Sequence, residues 1–445
     1  MAGMDVAMGG TDTGMDVDAE GNPEADQQFS ELLEKAKELE SKSADQAVKA
    51  YKDIISNKAN IDDPSAKGRE RAIHALADFY VAKGKKQEIS DLNKELRPLM
   101  GELPKAKAAK IVRTLLSQMA KIQGSQALQI QMCRDCIEWC GNEKRTFLRQ
   151  RVETRLSSLL LDEEQYQEAI DLLAKLLSEV KKIDDKLLLV EIHLIECRTH
   201  YALKNVPKSK AALTAAKTNA NAIHCPPLLQ ADIDLWSGIV SAREKDYRTA
   251  FSYFYEAFEA FNSAEKSADA KNSMKLMLLS KIMFGKTSET SAIINSKSGL
   301  KYAGVEIDAM SAVASAYQDR SLKKFEAVLE QFKAQLASDP IVSFHLTDLN
   351  ETLLEQNIIR ILEPFSRVEI AHVAELMELP LNRTQNKLRE MILDQKLNGT
   401  LDQGIGVVIV YDDEKVRSTY DDALKTIKNT SEVMDTLYEQ AKHLA

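Results

Sequence analysis

Apolar residues recur three and four positions apart through most of the chain between residues 29 and 339. This spacing places one face of an α-helix in a core. The helices align as pairs with a step of about 40 residues, and the second helix of successive pairs is predicted to begin at Lys86, Gln126, Tyr166, Val206 and Tyr247. Such a repeat is typical of a helical solenoid, because each pair buries its apolar face only against its neighbours. We expect the repeat to fade after about residue 265.

One repeat unit shows how the two helices of a pair meet. Gly238 is the small residue expected where the helices cross, and Ala250, Phe254 and Ala257 are expected on the inner face of the second helix. The pattern is similar to that of tetratricopeptide repeats, so we predict a right-handed α-solenoid of TPR-like helix pairs.

The pattern changes between residues 349 and 412. A helix is predicted over 349–362, with Pro364 after its end, and residues 366–369 have the sequence of a capping box that would open a second helix. A third helix is predicted with Leu388, Met391 and Ile392 facing inward. Alternating residues at 398–402 and 407–411 then flank a glycine turn, which predicts a β-hairpin. Three helices followed by a hairpin in this order indicate a winged helix, with residues 407–411 as an unpaired sheet edge.

A long amphipathic helix is predicted after the winged helix. Its apolar positions step alternately by four and three residues with one polar slot at Thr430, which is a heptad pattern. The other positions of this seam are Val416, Tyr420, Ala423, Ile427, Met434, Leu437, Ala441 and Leu444. The stripe needs a partner, and two are open: the helix packs back on its own domain, or it joins a bundle with helices of other chains.

Composition supports an all-helical body without membrane spans. The 445 residues include 17 glycines and 10 prolines, about half the usual share of helix breakers. No apolar run approaches the ~20 residues that a membrane span needs. Five cysteines, an odd number, favour reduced thiols in the cytoplasm or nucleus. The N-terminus lacks a basic and apolar leader, so we do not expect secretion.

The charge is concentrated at the N-terminus. Residues 1–27 hold seven acidic residues and no Lys or Arg, so only −2 of the formal net charge of −9 remains for the rest. We predict a disordered acidic tail, either solvated or docking on a basic partner. The nearly neutral body argues against nucleic-acid binding, which needs a basic face.

Three segments resemble chemical sites. Cys133, Cys136 and Cys140 fall on one helix face, but zinc needs a fourth ligand, so we interpret them as core thiols. The sequence at 284–287 resembles the end of a phosphate loop, yet the preceding strand and glycine are missing. We therefore expect no metal, no cofactor and no catalytic residue set.

The third helix of the winged domain is the part that would read DNA. Its basic residues are offset by Glu390 and Asp394, so we expect a solvated face rather than base reading. These basic residues are Arg383, Lys387, Arg389 and Lys396.

A helical-repeat stack that leads into a winged helix and a final long helix resembles the PCI family. These are scaffold subunits shared by the proteasome lid, the COP9 signalosome and translation initiation factor three, and the chain is most similar to the lid branch. The resemblance is carried by the segments 143–150, 184–191, 250–259, 353–357, 363–368, 391–394 and 401–404. The resemblance covers residues 28–445 and is not carried over to residues 1–27. Together with the residue patterns above, it predicts the following division: a tail at 1–27, a solenoid at 28–265, the helical part of the PCI domain at 266–348, the winged helix at 349–412 and a bundle helix at 413–445.

The resemblance implies a non-catalytic scaffold of the lid of the 26S proteasome regulatory particle, acting in ubiquitin-dependent proteolysis in the cytoplasm and nucleus. Implied partners are other lid PCI subunits, the ATPase ring and an α-subunit of the core particle, with no nucleic acid and no membrane. Family members join through the wing and the terminal helix. This predicts a wing-edge interface at Val407, Val408, Ile409, Val410 and Tyr411, and a second interface along the C-terminal seam. A signalosome or initiation-factor subunit and a nucleic-acid-associated winged-helix protein remain alternatives.

Overall fold

The computed structural model describes residues 34, 36, 44–56, 63–102, 105–122, 124–336, 339–377, 379–402, 404–411 and 418–442. The predicted acidic tail at 1–27 lies outside these residues, as do Val416 and Leu444 of the predicted seam. The chain divides into two compact units, residues 1–310 and 311–445.

Helices joined by short turns form the described part of the first unit. They are α1 (Ala44–Ser56), α2 (Asp63–Ala82), α3 (Lys86–Glu95), α4 (Arg97–Glu102), α5 (Lys105–Ala120), α6 (Gln126–Asn142), α7 (Thr146–Asp162), α8 (Tyr166–Ile183), α9 (Lys186–Ala202), α10 (Val206–Asn221), α11 (Pro227–Arg243), α12 (Tyr247–Ser263), α13 (Ser267–Met283), α14 (Thr287–Ile294) and α15 (Lys297–Lys301). The chain then continues through α16 (Val305–Gln318) into the second unit.

The predicted repeat is confirmed by the starts of the helices. Helices α3, α6, α8, α10 and α12 begin at the five predicted positions, and each helix from α6 to α14 packs on the next. The step does not stop after residue 265, because α14 begins at Thr287, 40 residues after Tyr247. The first unit is therefore a helical solenoid.

The turns between helices share one backbone geometry. A residue in the left-handed region lies two positions before the next helix in turn after turn, as at Lys245 with φ +67° and Gly285 with φ +80°. The N–H of Lys245 donates to the carbonyl of Ala242 at 3.0 Å, and the N–H of Asp246 donates to that of Ser241 at 3.1 Å. This is a Schellman cap, which satisfies the last carbonyls of the helix and turns the chain sharply.

The expected crossing at Gly238 is also present. A Cβ atom at this position would lie 2.5 Å from the ring of Phe254, whose side chain is buried. The absence of a side chain on α11 therefore lets the aromatic ring of α12 fit against its backbone.

We expect Gly238→Ala to lower the free energy of unfolding by about 1–3 kcal/mol, because overpacking outweighs the gain in helix propensity. Denaturation in urea measures the change. Gly141→Ala is the matched control, since an added Cβ on that helical glycine meets nothing within 4 Å. The control should be neutral or stabilising, and an equal result for both variants would refute the packing role of Gly238.

The second unit contains the winged helix. Its elements are α17 (Leu322–Gln331), α18 (Lys333–Leu336), α19 (Pro340–Leu362), β1 (Arg367–Glu369), α20 (Ile370–Met377), α21 (Leu381–Leu393), β2 (Gly399–Asp402), β3 (Val407–Val410) and α22 (Ser418–Lys442). The core of the winged helix is formed by buried residues that include Leu354, Ile358, Val373, Leu388 and Met391. The predicted mainly α architecture of solenoid, winged helix and long C-terminal helix is confirmed.

Two local predictions in this unit are wrong. The first helix begins at Pro340 rather than at residue 349, because proline is well tolerated at the first position of a helix. Residues 366–369 do not open a helix: Arg367, Val368 and Glu369 form β1, and α20 begins at Ile370. Pairing of β1 with β3 buries Val368, and this long-range contact outweighs the local capping sequence.

Candidate partner interface

The most exposed apolar surface of the described chain lies on α22. Every residue from 422 to 442 is exposed, so no described part of the second unit covers this helix. Of the predicted seam, Tyr420, Ile427 and Met434 are 66 %, 65 % and 65 % exposed. Over the described residues α22 does not pack back onto its own domain, which was one of the two open alternatives. The bundle with helices of other chains stays a prediction.

The apolar stripe on α22 is wider than the predicted seam. At 100° per residue, Leu424 and Tyr438 fall on the same side of the helix as Ile427, and both are exposed. The heptad reading missed them, although the 3.6-residue period of a straight helix identifies them. The hydroxyl at the polar slot has a hydrogen-bond partner within the helix, because Thr430 donates to the Thr426 carbonyl at 2.7 Å. This face can therefore enter an apolar bundle without an unpaired hydroxyl.

The sheet of the winged helix corrects the predicted edge. The strand order is β1-β3-β2, so β3 is the central strand and the unpaired edge expected at 407–411 is wrong. Val407 and Val408 are buried, whereas Ile409 and Tyr411 are exposed. The unpaired edges of the sheet are the outer sides of β1 and β2.

The outer side of β2 offers free backbone groups. The Tyr411 N–H donates to the Asn398 carbonyl at 2.8 Å, and the register places Thr400 opposite Ile409. Because bonded and non-bonded pairs alternate along an antiparallel ladder, Gly399 and Leu401 direct their N–H and C=O groups away from β3. An edge of this kind accepts an added strand from another chain.

The basic residues of α21 and of the turn that follows it are partly engaged within their own domain. The Lys387 ammonium lies 3.2 Å from the Glu355 carboxylate, and the Lys396 ammonium lies 2.7 Å from it. Glu355 is on α19, so the contact with Lys387 ties α19 to α21, and the contact with Lys396 ties α19 to the turn after α21. Two of the four cations considered for DNA reading are therefore already paired, which supports the sequence-based argument against it.

The charge of Glu355 is stabilised by these lysines. Burial alone would raise the pKa of Glu355, but hydrogen bonds from Lys396 and Lys387 outweigh it and hold the pKa below its ordinary value. A carboxyl with a lowered folded-state pKa stabilises the fold above its unfolded pKa of about 4.3, and this contribution is lost as the pH falls through the folded value.

We expect Glu355→Gln to destabilise the second unit by about 2 kcal/mol at pH 7, the usual loss for a hydrogen bond to a charged partner. The difference from the native chain should shrink when urea denaturation is repeated below pH 4. Glu351→Gln is the control and should destabilise the unit much less. The Glu351 carboxylate is 60 % exposed, and its distance of 3.5 Å from the Lys387 ammonium is longer than that of Glu355. A difference that does not change with pH would contradict the assignment.

The three thiols on α6 are core residues, as interpreted from the sequence. Cys133, Cys136 and Cys140 are all buried, and burial raises the pKa of Cys133 and Cys140 to about 12. The Asn93 amide donates to the Cys136 sulfur at 3.3 Å. Across the described ranges no cluster of His, Cys, Asp and Glu residues could hold a metal ion.

The segment resembling a phosphate loop is an ordinary helix turn. The segment follows helix α13 rather than a strand. The N–H of Gly285 donates a hydrogen bond to the Ile282 carbonyl at 2.9 Å. The Lys286 ammonium lies 3.2 Å from Glu289. The backbone amide and the lysine are thus both occupied.

None of the helices in the described part of the chain has the length and apolar character of a membrane span.

Family models match both ends of the chain and its winged domain. A model described as the 26S proteasome regulatory subunit RPN6 N-terminal domain matches residues 29–163. A PCI domain model matches 329–412, and a model described as the 26S proteasome subunit RPN6 C-terminal helix domain matches 418–442. The chain is therefore a PCI-domain protein, which confirms the resemblance found in the sequence.

Curated relatives define the family more closely. The chain is 46 % identical to the probable 26S proteasome regulatory subunit rpn6 of Schizosaccharomyces pombe, over 90 % of this chain and 95 % of that protein. It is 51 % identical to the 26S proteasome non-ATPase regulatory subunit 11 homolog of Arabidopsis thaliana, over 85 % and 91 %. Identity to the 26S proteasome regulatory subunit RPN6 of Saccharomyces cerevisiae is 39 %, over 87 % and 90 %. The chain belongs to the RPN6 family of 26S proteasome regulatory subunits.

Proposed function

We propose that this chain is a non-catalytic scaffold subunit of the lid of the 26S proteasome regulatory particle, acting in ubiquitin-dependent proteolysis in the cytoplasm and nucleus. The observation that carries the proposal is the uncovered apolar face of α22, at the end of a chain whose relatives are named proteasome regulatory subunits. A helix with this face needs partner helices, and other lid PCI subunits would supply them.

The winged helix provides a second joint in this proposal. The outer side of β2 would receive a strand from a neighbouring PCI subunit, and the exposed Ile409 and Tyr411 would lie at its margin. Strand β3 is already paired on both sides. We therefore place the interface on β2 instead of at the predicted residues Val407, Val408, Ile409, Val410 and Tyr411.

The solenoid would serve as an arm in the same assembly. We propose that its N-terminal helix pairs bridge the lid and the ATPase ring to an α-subunit of the core particle. Stacked repeats suit this role, because they present a long surface that a compact domain of equal mass does not have.

Isolation of the tagged full-length chain under gentle conditions with ATP tests the assembly. We expect a particle of megadalton size that hydrolyses a peptide substrate of the proteasome. Recovery of a smaller complex without peptidase activity would overturn the lid assignment.

The arm is tested separately by reversing exposed charges on α2 and just after it, as in Arg71→Glu with Lys83→Glu. We expect weaker association with the core particle, by roughly tenfold, and unchanged association with other lid subunits. Unchanged core-particle association in a titration with purified core particle would count against this part of the solenoid as the contact.

A further inference from the structure

The N-terminal part of the solenoid carries a surface with one sign of charge. Residues 103–134 contain six basic residues and no acidic one. Five of these lie on α5 or directly after it. Lys107 is half-buried, and the other four form what we call the basic face of α5: Lys105, Lys110, Arg113 and Lys121. Ile111, Leu115 and Met119 are buried on the opposite side of the same helix, so the basic side chains point away from the core.

Most of this positive charge has no counterpart in the described chain. Lys110 is paired, with its ammonium 3.0 Å from the Glu70 carboxylate. Within the described ranges no ion pair reaches Lys105, Arg113 or Lys121. The basic helix α10 differs, because Lys210 pairs with Glu244 at 2.7 Å and Lys217 lies over the Tyr253 ring. The basic face of α5 is thus a positive patch on which three of the four cations have no ion pair within the described residues.

The chain itself contains a complementary segment. Its seven acidic residues before residue 28 are Asp5, Asp12, Asp16, Asp18, Glu20, Glu24 and Asp26, and five of them fall between 16 and 26. Extended, those 11 residues span up to roughly 35 Å, while α5 with its 16 residues is about 24 Å long. The acidic run can therefore follow the whole basic face.

The acidic run also starts close enough to reach it. Ala36 is fully buried at the start of an apolar cluster that continues to Ala169. Helix α5 packs on α2, and α2 packs on α1, so about two interhelical distances of roughly 10 Å separate α5 from α1, the first described helix after Ala36. Asp26 lies ten positions before Ala36. Because the helical spacing begins at residue 29 and residues 34 and 36 are helical, this stretch reaches roughly 20 Å. Tethering over so short a distance gives the acidic run a high effective concentration at α5, so individually weak ion pairs suffice.

We propose that residues 1–27 of this chain dock on the basic face of α5. The contact is intramolecular and electrostatic, and it covers this face in the free chain. The inference does not depend on the lid assignment, because it uses only the free chain.

Lysine footprinting on the full-length chain tests this. A variant with every acidic residue of 1–27 replaced by Asn or Gln serves as the uncovered reference. We expect Lys105, Lys110 and Lys121 to be acetylated by an amine-reactive ester about threefold more slowly in the native chain at low salt. Lys175, Lys181 and Lys182 on α8 are exposed controls that should react equally in both proteins. Equal rates on α5 in both proteins would overturn the proposal.

Salt and protein concentration separate the remaining explanations. The protection should vanish at about 0.5 M salt, where the Debye length falls to a few ångströms. Protection that persists in salt would refute the electrostatic contact. Protection that grows with protein concentration would refute an intramolecular contact and indicate a second copy. Zero-length carbodiimide cross-links from residues 16–26 to Lys105, Lys110 or Lys121 should dominate over those to α10, and an even distribution would also overturn the proposal.

Discussion

Replacing Leu424, Ile427 and Met434 together by aspartate is expected to abolish incorporation of the chain into a proteasome particle. Each side chain is 65 % exposed in the isolated chain, and its burial against partner helices is worth about 1.5–3 kcal/mol. Losing three of them corresponds to a loss of affinity on the order of a thousandfold or more. Quantitative mass spectrometry of proteins that co-isolate with the tagged chain measures this.

The opposite face of α22 supplies a matched control. Lys425→Ala, Asn429→Ala and Glu432→Ala change equally exposed residues and should leave incorporation unchanged. Neither triple variant should alter the unfolding of the free chain, because none of these side chains is buried there.

Deletion of 415–445 should abolish incorporation as well and leave the solenoid folded. Normal assembly of the aspartate variant would disprove the bundle interface.

Leu401→Pro is expected to reduce association with neighbouring PCI subunits by roughly 10- to 100-fold. The N–H of Leu401 faces the outer side of β2, so proline removes a donor for an added strand and its ring obstructs the approach. The internal ladder should survive, because its bonds run through Thr400 rather than Leu401. Co-isolation of the other subunits with the tagged variant measures the loss.

The side chain of Leu401 has to be separated from its backbone in this test. Leu401 is half-buried and packs against the winged-helix core. Leu401→Ala removes the side chain but keeps the N–H, so we expect it to retain association even if stability falls slightly. Equal losses for the alanine and proline variants would argue that β2 contributes packing alone and accepts no strand.

The helix pattern and its register could be predicted from the sequence. Tyr166, Val206 and Tyr247 start helices at the expected step, because the apolar period and the turn residues act within a few positions of one another. The apolar stripe of α22 was visible for the same reason. Its correct width, with Leu424 and Tyr438, needed only the period of a straight helix.

The sheet and the ion pairs were decided by tertiary structure. Residues 366–369 fit a capping box locally, but pairing of 367–369 with 407–409 forms strand β1 and places β3 in the centre. The sequence makes Lys387 a candidate for DNA contact, but in the fold its ammonium pairs with the carboxylate of Glu355, 32 positions away. Strand order and charge pairing depend on residues distant in the chain, and a local pattern carries no information about them. The repeat solenoid, the winged helix and the amphipathic last helix follow from patterns local in the chain. The free sheet edge and the unpaired charges depend on contacts between distant segments.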